Sequence, residues 1–306
     1  MPNGVVVGFD GSDRARDAVW WAADEARRRD RPLTLVRAHG APVPTVAHAW
    51  GPVVTPGGAA AATGLGPAEL LAHDRVREHA EQELAALADE CRTRVPGLAV
   101  DTEAGEGRAA AVLLAAADQR DAALLVVGAT GLSALPRAVL GSTTAELVHD
   151  AGRPVVVVRG DHTGRDADAP VVLGTGGTEA ADNAVGFAFE FAARHDCPLR
   201  VVHAWSDSPL DVLATLGLWE LGSDTDEVAE RIDEYVLREE RQRHPEVSVR
   251  VDVVHDRPAR ALLDQAGTAR LLVVGSRGRG PVRRALLGSV SHAALYHASC
   301  PVAVVP

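Results

Sequence analysis

Two stretches of this chain carry residues suited to holding phosphate. Gly128-Ala129-Thr130-Gly131 is followed after nine residues by Gly141-Ser142-Thr143, and directly follows the apolar run Ala122 to Val127. Gly275-Ser276-Arg277-Gly278 is likewise followed after nine residues by Gly288-Ser289, and comes after Arg270 to Val274. Each copy reads as a buried strand feeding a glycine loop that closes on a helix beginning at Ser142 or Ser289. The arrangement gathers unpaired backbone N–H groups and a hydroxyl around one small volume, which suits an anion. Glycines at 128 and 131 let the backbone approach phosphate oxygen or take positive φ. Ser142 and Thr143 can donate to phosphate, cap the helix, or do both. A third segment, Asp10-Gly11-Ser12, ends the first strand-like run. Asp10 can accept from hydroxyls or an exocyclic amine, or it can serve as a turn or cap aspartate.

Several other chemistries are excluded by residue type. The sequence has no lysine, which removes Schiff-base chemistry and the lysine of a phosphate-binding P-loop. Neither glycine loop is G-x-G-x-x-G, and no G-x-x-x-x-G-K-[ST] or G-x-S-x-G occurs. Cys91, Cys197 and Cys300 are too scattered for a disulfide framework, and no His, Cys or carboxylate cluster has metal-ligand spacing, so no metal and no catalytic residue are assigned. A net charge of −11 opposes nonspecific attraction to nucleic acid. No apolar run approaches the roughly 20 residues of a membrane span. The chain starts with Met1 to Gly4 and enters Val5-Val6-Val7 without the charged, apolar and cleavage regions of a secretory leader, so the cytoplasm is the expected compartment.

The elements that must position these loops alternate strand and helix. Gly4 to Phe9 is a strand, Asp13 to Arg29 a helix with apolar residues at helical spacing, and Leu33 to Ala38 a second strand. The Pro-, Gly- and Ala-rich stretch from Gly40 to Pro67 has no firm period and reads as an excursion or lid. A long amphipathic helix from Ala68 to Arg94 follows. Then come a strand at Leu98 to Glu103, a helix near Gly107 to Gln119, the strand at Ala122 to Val127, a helix from Ser142 to Asp150, and a strand at Pro154 to Val158. Polar Gly160 to Ala169 reads as a linker. The pattern then restarts at Val171-Val172-Leu173-Gly174, with later strands at Leu199 to Ala204, Val247 to Val253 and Pro301 to Val305. Residues 1–160 and 170–306 are therefore expected as two like domains joined by 161–169. Alternating elements with apolar strands imply an α/β fold with a parallel sheet covered on both faces. Ligands in such sheets bind beyond the carboxyl ends of the strands, where the winding reverses. The short apolar last strand of each half, Val155 to Val158 and Val302 to Val305, would leave an edge open to pairing. A pairing of the two domains within the chain is the first expectation, and a homodimer of chains the second.

The pattern G-x2-G-x9-G-[ST], present twice, preceded by V-V-G and followed by a Pro-Val-x-Val-Val strand, resembles the universal stress protein family over nearly the whole chain. It is most similar to the tandem two-domain members of actinobacterial type. The resemblance implies two Rossmann-like domains of the adenine nucleotide alpha hydrolase type, each a five-stranded sheet of order 3-2-1-4-5. It implies ATP as ligand, alone or with Mg2+, in a stress-response or regulatory protein that is not an enzyme. Slow ATP hydrolysis and a scaffold with decayed sites are the alternatives. Carried over by position, Asp10, Gly11 and Ser12 meet the nucleoside, the backbone at Ala38 and Ala204 meets adenine, and Gly128, Gly131, Gly141, Ser142 and Thr143 hold ribose and phosphate. Gly275, Arg277, Gly278, Gly288 and Ser289 form the second loop. There Gly176 stands where the first copy has Asp10, removing a carboxylate contact, while Arg277, Arg279, Arg283 and Arg284 are available for phosphate or form a basic surface.

Overall fold

The structure is a computed structural model that describes residues 4–40, 67–129, 140–159, 168–176, 182–206, 225–276 and 287–306. The expected excursion at 40–67 and the linker lie almost wholly outside these residues. The first half is β1 (Val5–Gly8), α1 (Asp13–Arg28), β2 (Leu33–His39), α2 (Pro67–Arg94), β3 (Val100–Glu106), α3 (Ala109–Gln119), β4 (Leu124–Gly128), α4 (Ser142–Asp150) and β5 (Val155–Val158). The second is β6 (Val171–Gly174), α5 (Asp182–His195), β7 (Leu199–Trp205), α6 (Thr225–Arg231), a π-helical turn (Ile232–Val236), α7 (Arg238–Arg243), β8 (Val249–His255), α8 (Pro258–Ala266), β9 (Leu271–Gly275), α9 (Ser289–His297) and β10 (Val302–Val305). Helices α4 and α9 start at the two serines expected from the sequence. The third strand of each half runs later than its apolar pattern suggested, since β3 and β8 continue as edge strands through half-exposed polar residues.

The strands form one sheet of order β3-β2-β1-β4-β5-β10-β9-β6-β7-β8, so each half has the 3-2-1-4-5 order. All pairs are parallel except β5 with β10, where Val157 faces Val302, Val156 faces Ala303 and Val155 faces Val304. Because successive strand residues point to opposite faces, Val5 and Val7 enter one core and Val6 the other. The first core is shared with α1, α2 and α5, the second with α3, α4, α8 and α9, and each runs across both halves. The last strands thus cover each other's edges inside one chain. The outer edges of the sheet are β3 and β8.

Two further contacts fix the halves together. Arg159, buried just after β5, donates to the carbonyl of Leu295 in the last turn of α9, where the helix dipole favours a cation. Burial holds its pKa below the usual arginine value. On the other face α1 lies beside α5. Trp21 stacks on Phe191 at 6.1 Å between ring centroids, and the buried Glu25 accepts from Arg29 Nε at 2.5 Å, Arg194 Nη1 at 2.7 Å and His195 Nε2 at 2.8 Å. Burial pushes the Glu25 carboxyl upward, but its three partners more than offset this and hold it below the ordinary carboxylate value. His195 moves the other way, since burial lowers its pKa more than Glu25 raises it. A neutral ring bearing its hydrogen on Nε2 fits the contacts, because Nδ1 is buried without a partner and a proton there would be an unsatisfied donor.

Candidate nucleotide site

Strand β1 lies between β2 and β4, so the loops leaving β1 and β4 diverge at the point where the winding reverses. The first loop is a compact turn. Asp10 Oδ1 accepts from Ser12 N at 3.0 Å, and Ser12 Oγ caps α1 by accepting from Ala15 N at 3.1 Å. Gly11 supplies the left-handed residue this turn needs, with φ of 91°. Asp10 and Ser12 therefore both hold the turn, which for Asp10 is the plainer of the two readings.

The turn is brought against the second loop by Gly128. A Cβ there would lie 2.9 Å from the carbonyl oxygen of Arg14, so the end of β4 can sit this close to the start of α1 only as glycine. Beyond it the chain returns through Gly141, whose N–H donates to the Ala129 carbonyl at 3.2 Å. Gly141 is the N-cap of α4 and offers no side chain to the first turn. The amides of Ser142, Thr143 and Thr144 open that helix and have no acceptor within it. Ser142 is exposed and Thr143 half-buried.

Thr144, which sequence reasoning passed over, ties the loop shut. Its hydroxyl is buried and donates to the Gly128 carbonyl at 3.2 Å. The second copy repeats the arrangement, with Ser291 Oγ donating to the Gly275 carbonyl at 2.5 Å and Gly288 N to Ser276 O at 3.2 Å. The signal was present in the alignment of Gly-Ser-Thr-Thr with Gly-Ser-Val-Ser, where a hydroxyl recurs at the third position after glycine and Thr143 gives way to Val290.

The structure thus gathers Asp10, Gly11, Ser12, Gly128, Gly141, Ser142 and Thr143 at the carboxyl ends of β1 and β4. Ala38 sits near the end of the adjoining β2, beside a cavity of about 380 Å3 that Arg37, His39 and α2 help to line. Arg37 was also missed. Its guanidinium lies 5.8 Å from the Phe9 ring centroid, pairs with Glu83, and would be 3.8 Å from a Cβ on Gly11, which makes it a cation at the rim of this crevice. A charge inside the otherwise apolar Leu33 to Ala38 run marked it in the sequence.

In the second half Gly275, Gly288 and Ser289 take the matching places, and Ala204 lies near the end of β7 beside Trp205, whose ring is 4.4 Å from that of His255. Gly176 is exposed where the first half has Asp10. His203 stands where the first half has Arg37 and meets the Thr175 carbonyl through Nδ1 at 3.1 Å. Gly131, Arg277 and Gly278, together with Arg137, Arg279, Arg283 and Arg284, lie outside the described residues. Among the described residues no group of His, Cys, Asp and Glu has the arrangement of a metal site, and no helix is long and apolar enough to cross a membrane.

Fold and crevice together define a tandem α/β protein with paired loop sites at the switch points of one continuous sheet. The chain belongs to the universal stress protein family, whose model matches it twice, over residues 1–159 and 169–306. A universal stress protein of Mycolicibacterium smegmatis is 38% identical over 307 residues, covering 99% of this chain and 96% of that protein. One of Mycobacterium tuberculosis (strain ATCC 25618 / H37Rv) is 34% identical over 304 residues, 98% of this chain and 95% of its own length. The crystal structure of a universal stress protein from Archaeoglobus fulgidus DSM 4304 covers the whole chain and 96% of its own, with a TM-score of 0.68 at 17% identity, a likeness of fold.

Proposed function

We propose that the first half binds an adenine nucleotide, ATP, and that the chain acts as a nucleotide-dependent stress-response protein rather than as an enzyme. The observation that carries this reading is the α4 N-terminus. Its first amides open with no side-chain cap at Gly141, and the Thr144 hydroxyl turns back to Gly128, so the donors are held beside the end of β4, which packs on the start of α1. Preorganised amides at a positive helix end suit phosphate oxygens. Asp10, kept in place by Ser12 N, presents a carboxylate, an acceptor suited to nucleoside hydroxyls, and the backbone beyond Ala38 borders a cavity of a size to admit a base. Mg2+, where present, would neutralise phosphate charge, a role that Arg37 can share from the rim.

The same reasoning makes the two halves unequal. Gly176 supplies no acceptor in place of Asp10, and a hydrogen bond to a charged group contributes about 1.5–3 kcal/mol, roughly ten- to a hundredfold in affinity. The first half is therefore the principal site. A homodimer, if formed, uses another surface than β5 and β10, whose edges are already paired within the chain.

Mass spectrometry of the small molecules released from the purified chain, with calorimetry of ATP and GTP against wild type and Asp10→Ala, tests the proposal. ATP should be recovered, should bind more tightly than GTP, and should lose at least tenfold in affinity in the variant. Release of stoichiometric ATP with no steady-state phosphate production separates binding from hydrolysis. Wild-type affinity in Asp10→Ala would remove the assignment of the principal site.

A further inference from the structure

A second cavity lies at the opposite end of the sheet from the nucleotide crevice. It has a volume of about 670 Å3 and is enclosed by the last turns of α1, the end of α2, helix α5 and Arg270, which immediately precedes β9. All of these sit toward the amino ends of the strands, so the cavity belongs to the seam between the two halves. The volume is in the range of small-molecule pockets.

Its walls are aromatic and cationic. Trp21, Phe191 and His195 form a column of near-parallel rings, with centroids 6.1 Å and 4.0 Å apart and interplanar angles of 6° and 17°. Half-buried Trp20 lies beside them, with the Arg94 guanidinium 4.8 Å above its ring. The two lining carboxylates are already neutralised by the protein. Asp24 is engaged by Arg28 at 2.8 Å and Arg27 at 3.3 Å, and Glu25 by Arg29, Arg194 and His195. Arg94, in contrast, has no ion pair or hydrogen bond among the described residues, only its contact with Trp20. In a chain of net charge −11 this is a local excess of positive charge, with one guanidinium fork left unmatched at the edge of an aromatic wall.

We infer that the seam cavity is a binding site for a planar aromatic monocarboxylate, with its ring system against Trp20 and Trp21 and its carboxylate on Arg94. Aromatic rings prefer offset stacking on such walls, and a guanidinium binds a carboxylate in a bidentate manner. The Arg94 guanidinium suits a single negative charge. No glycine loop or open helix N-terminus borders the cavity to hold a polyphosphate.

The test uses the intact chain and 2-naphthoate as probe, titrated by calorimetry. One equivalent should bind per chain. Arg94→Gln should weaken binding about tenfold or more, as should replacing the probe by uncharged 2-naphthamide, and Trp20→Leu should also weaken it. Arg94 is exposed, so its substitution should leave the thermal melt unchanged and the loss readable as binding. Saturating ATP should leave the probe's affinity unaltered. Absence of binding, equal affinity in Arg94→Gln, equal binding of the amide, or displacement by ATP would each overturn the inference.

Discussion

Replacing Glu25 by glutamine perturbs the contact between the halves at its most buried polar point. The side chain is 1% exposed, and its carboxylate is the common acceptor for Arg29, Arg194 and His195, of which the two arginines are only 12% and 19% exposed. Glutamine keeps the shape but loses the charge, and it turns an NH2 toward groups that themselves donate. Arg29 would then be left without an anion, and Arg194 would keep only its more exposed partner Glu190. Breaking a buried ion pair by removing one partner costs about 3–5 kcal/mol, since the surviving charge stays desolvated. For a cooperative unit of domain size this corresponds to a melting point lower by roughly 6–20 °C. Urea unfolding of wild type and Glu25→Gln at pH 7.5, followed by circular dichroism, gives the comparison directly. Because the cluster joins α1 to α5, the variant should also show the halves unfolding in separate steps. A loss under about 1 kcal/mol with a single unchanged transition would mean that the seam is solvated enough to keep its arginines hydrated, and the reasoning from burial would fail.

Acid should weaken the same seam. The folded pKa of His195 lies below its ordinary value, so the unfolded chain takes up that proton first, and stability should fall as the pH drops below about 6.5. The lowered Glu25 carboxyl adds stability that is complete above its ordinary value near 4.5 and is lost as the pH falls through its folded pKa. Denaturation midpoints between pH 8 and pH 5 should therefore decline for wild type and decline less for His195→Gln. Thr144→Val removes the donor to the Gly128 carbonyl, and an unsatisfied buried acceptor costs about 1–3 kcal/mol, so both stability and ATP affinity should drop in paired unfolding and calorimetric measurements. Ser291→Ala, in the second loop, should lower stability without changing the tighter ATP titration. Gly128→Ala places a methyl 2.9 Å from the Arg14 carbonyl oxygen, backbone that cannot rotate away, and should cost about 1–3 kcal/mol by the same unfolding assay.

The glycine spacing was the most legible part of the sequence because it is set by backbone geometry. Each copy leaves a strand through a glycine and returns to open a helix, and the helices begin at Ser142 and Ser289 as the spacing implies. Alternating strands and helices likewise gave the parallel sheet, and the short last strands gave the pairing of β5 with β10. What stayed hidden depends on contacts remote in sequence. Within Asp24-Glu25-Ala26-Arg27-Arg28-Arg29 nothing separates the one buried carboxylate from its solvated neighbours until α5 is laid against α1. The charge of Arg37 stands out in its strand, but its place does not, because the Phe9 ring and Glu83 that receive it come from other elements.

The two copies differ at the seam where they meet and at the turn after their first strands. In the second copy Phe191 occupies the position of Glu25, just as Gly176 occupies that of Asp10. Two identical halves would place Trp21 of one against Glu25 of the other, an indole beside a carboxylate. Here Trp21 meets Phe191, while Glu25 meets Arg194 and His195. One side of the seam has become aromatic and the other ionic, an arrangement only two unlike copies can make. The same freedom lets the turn after β1 carry an acidic residue and the turn after β6 carry none within one fold. Since β5 and β10 bury each other whatever the loops contain, the sheet holds the second crevice in place without an acidic residue in its turn. The unlike β1 and β6 turns and the ionic seam are therefore both arrangements that need two unlike halves in one chain.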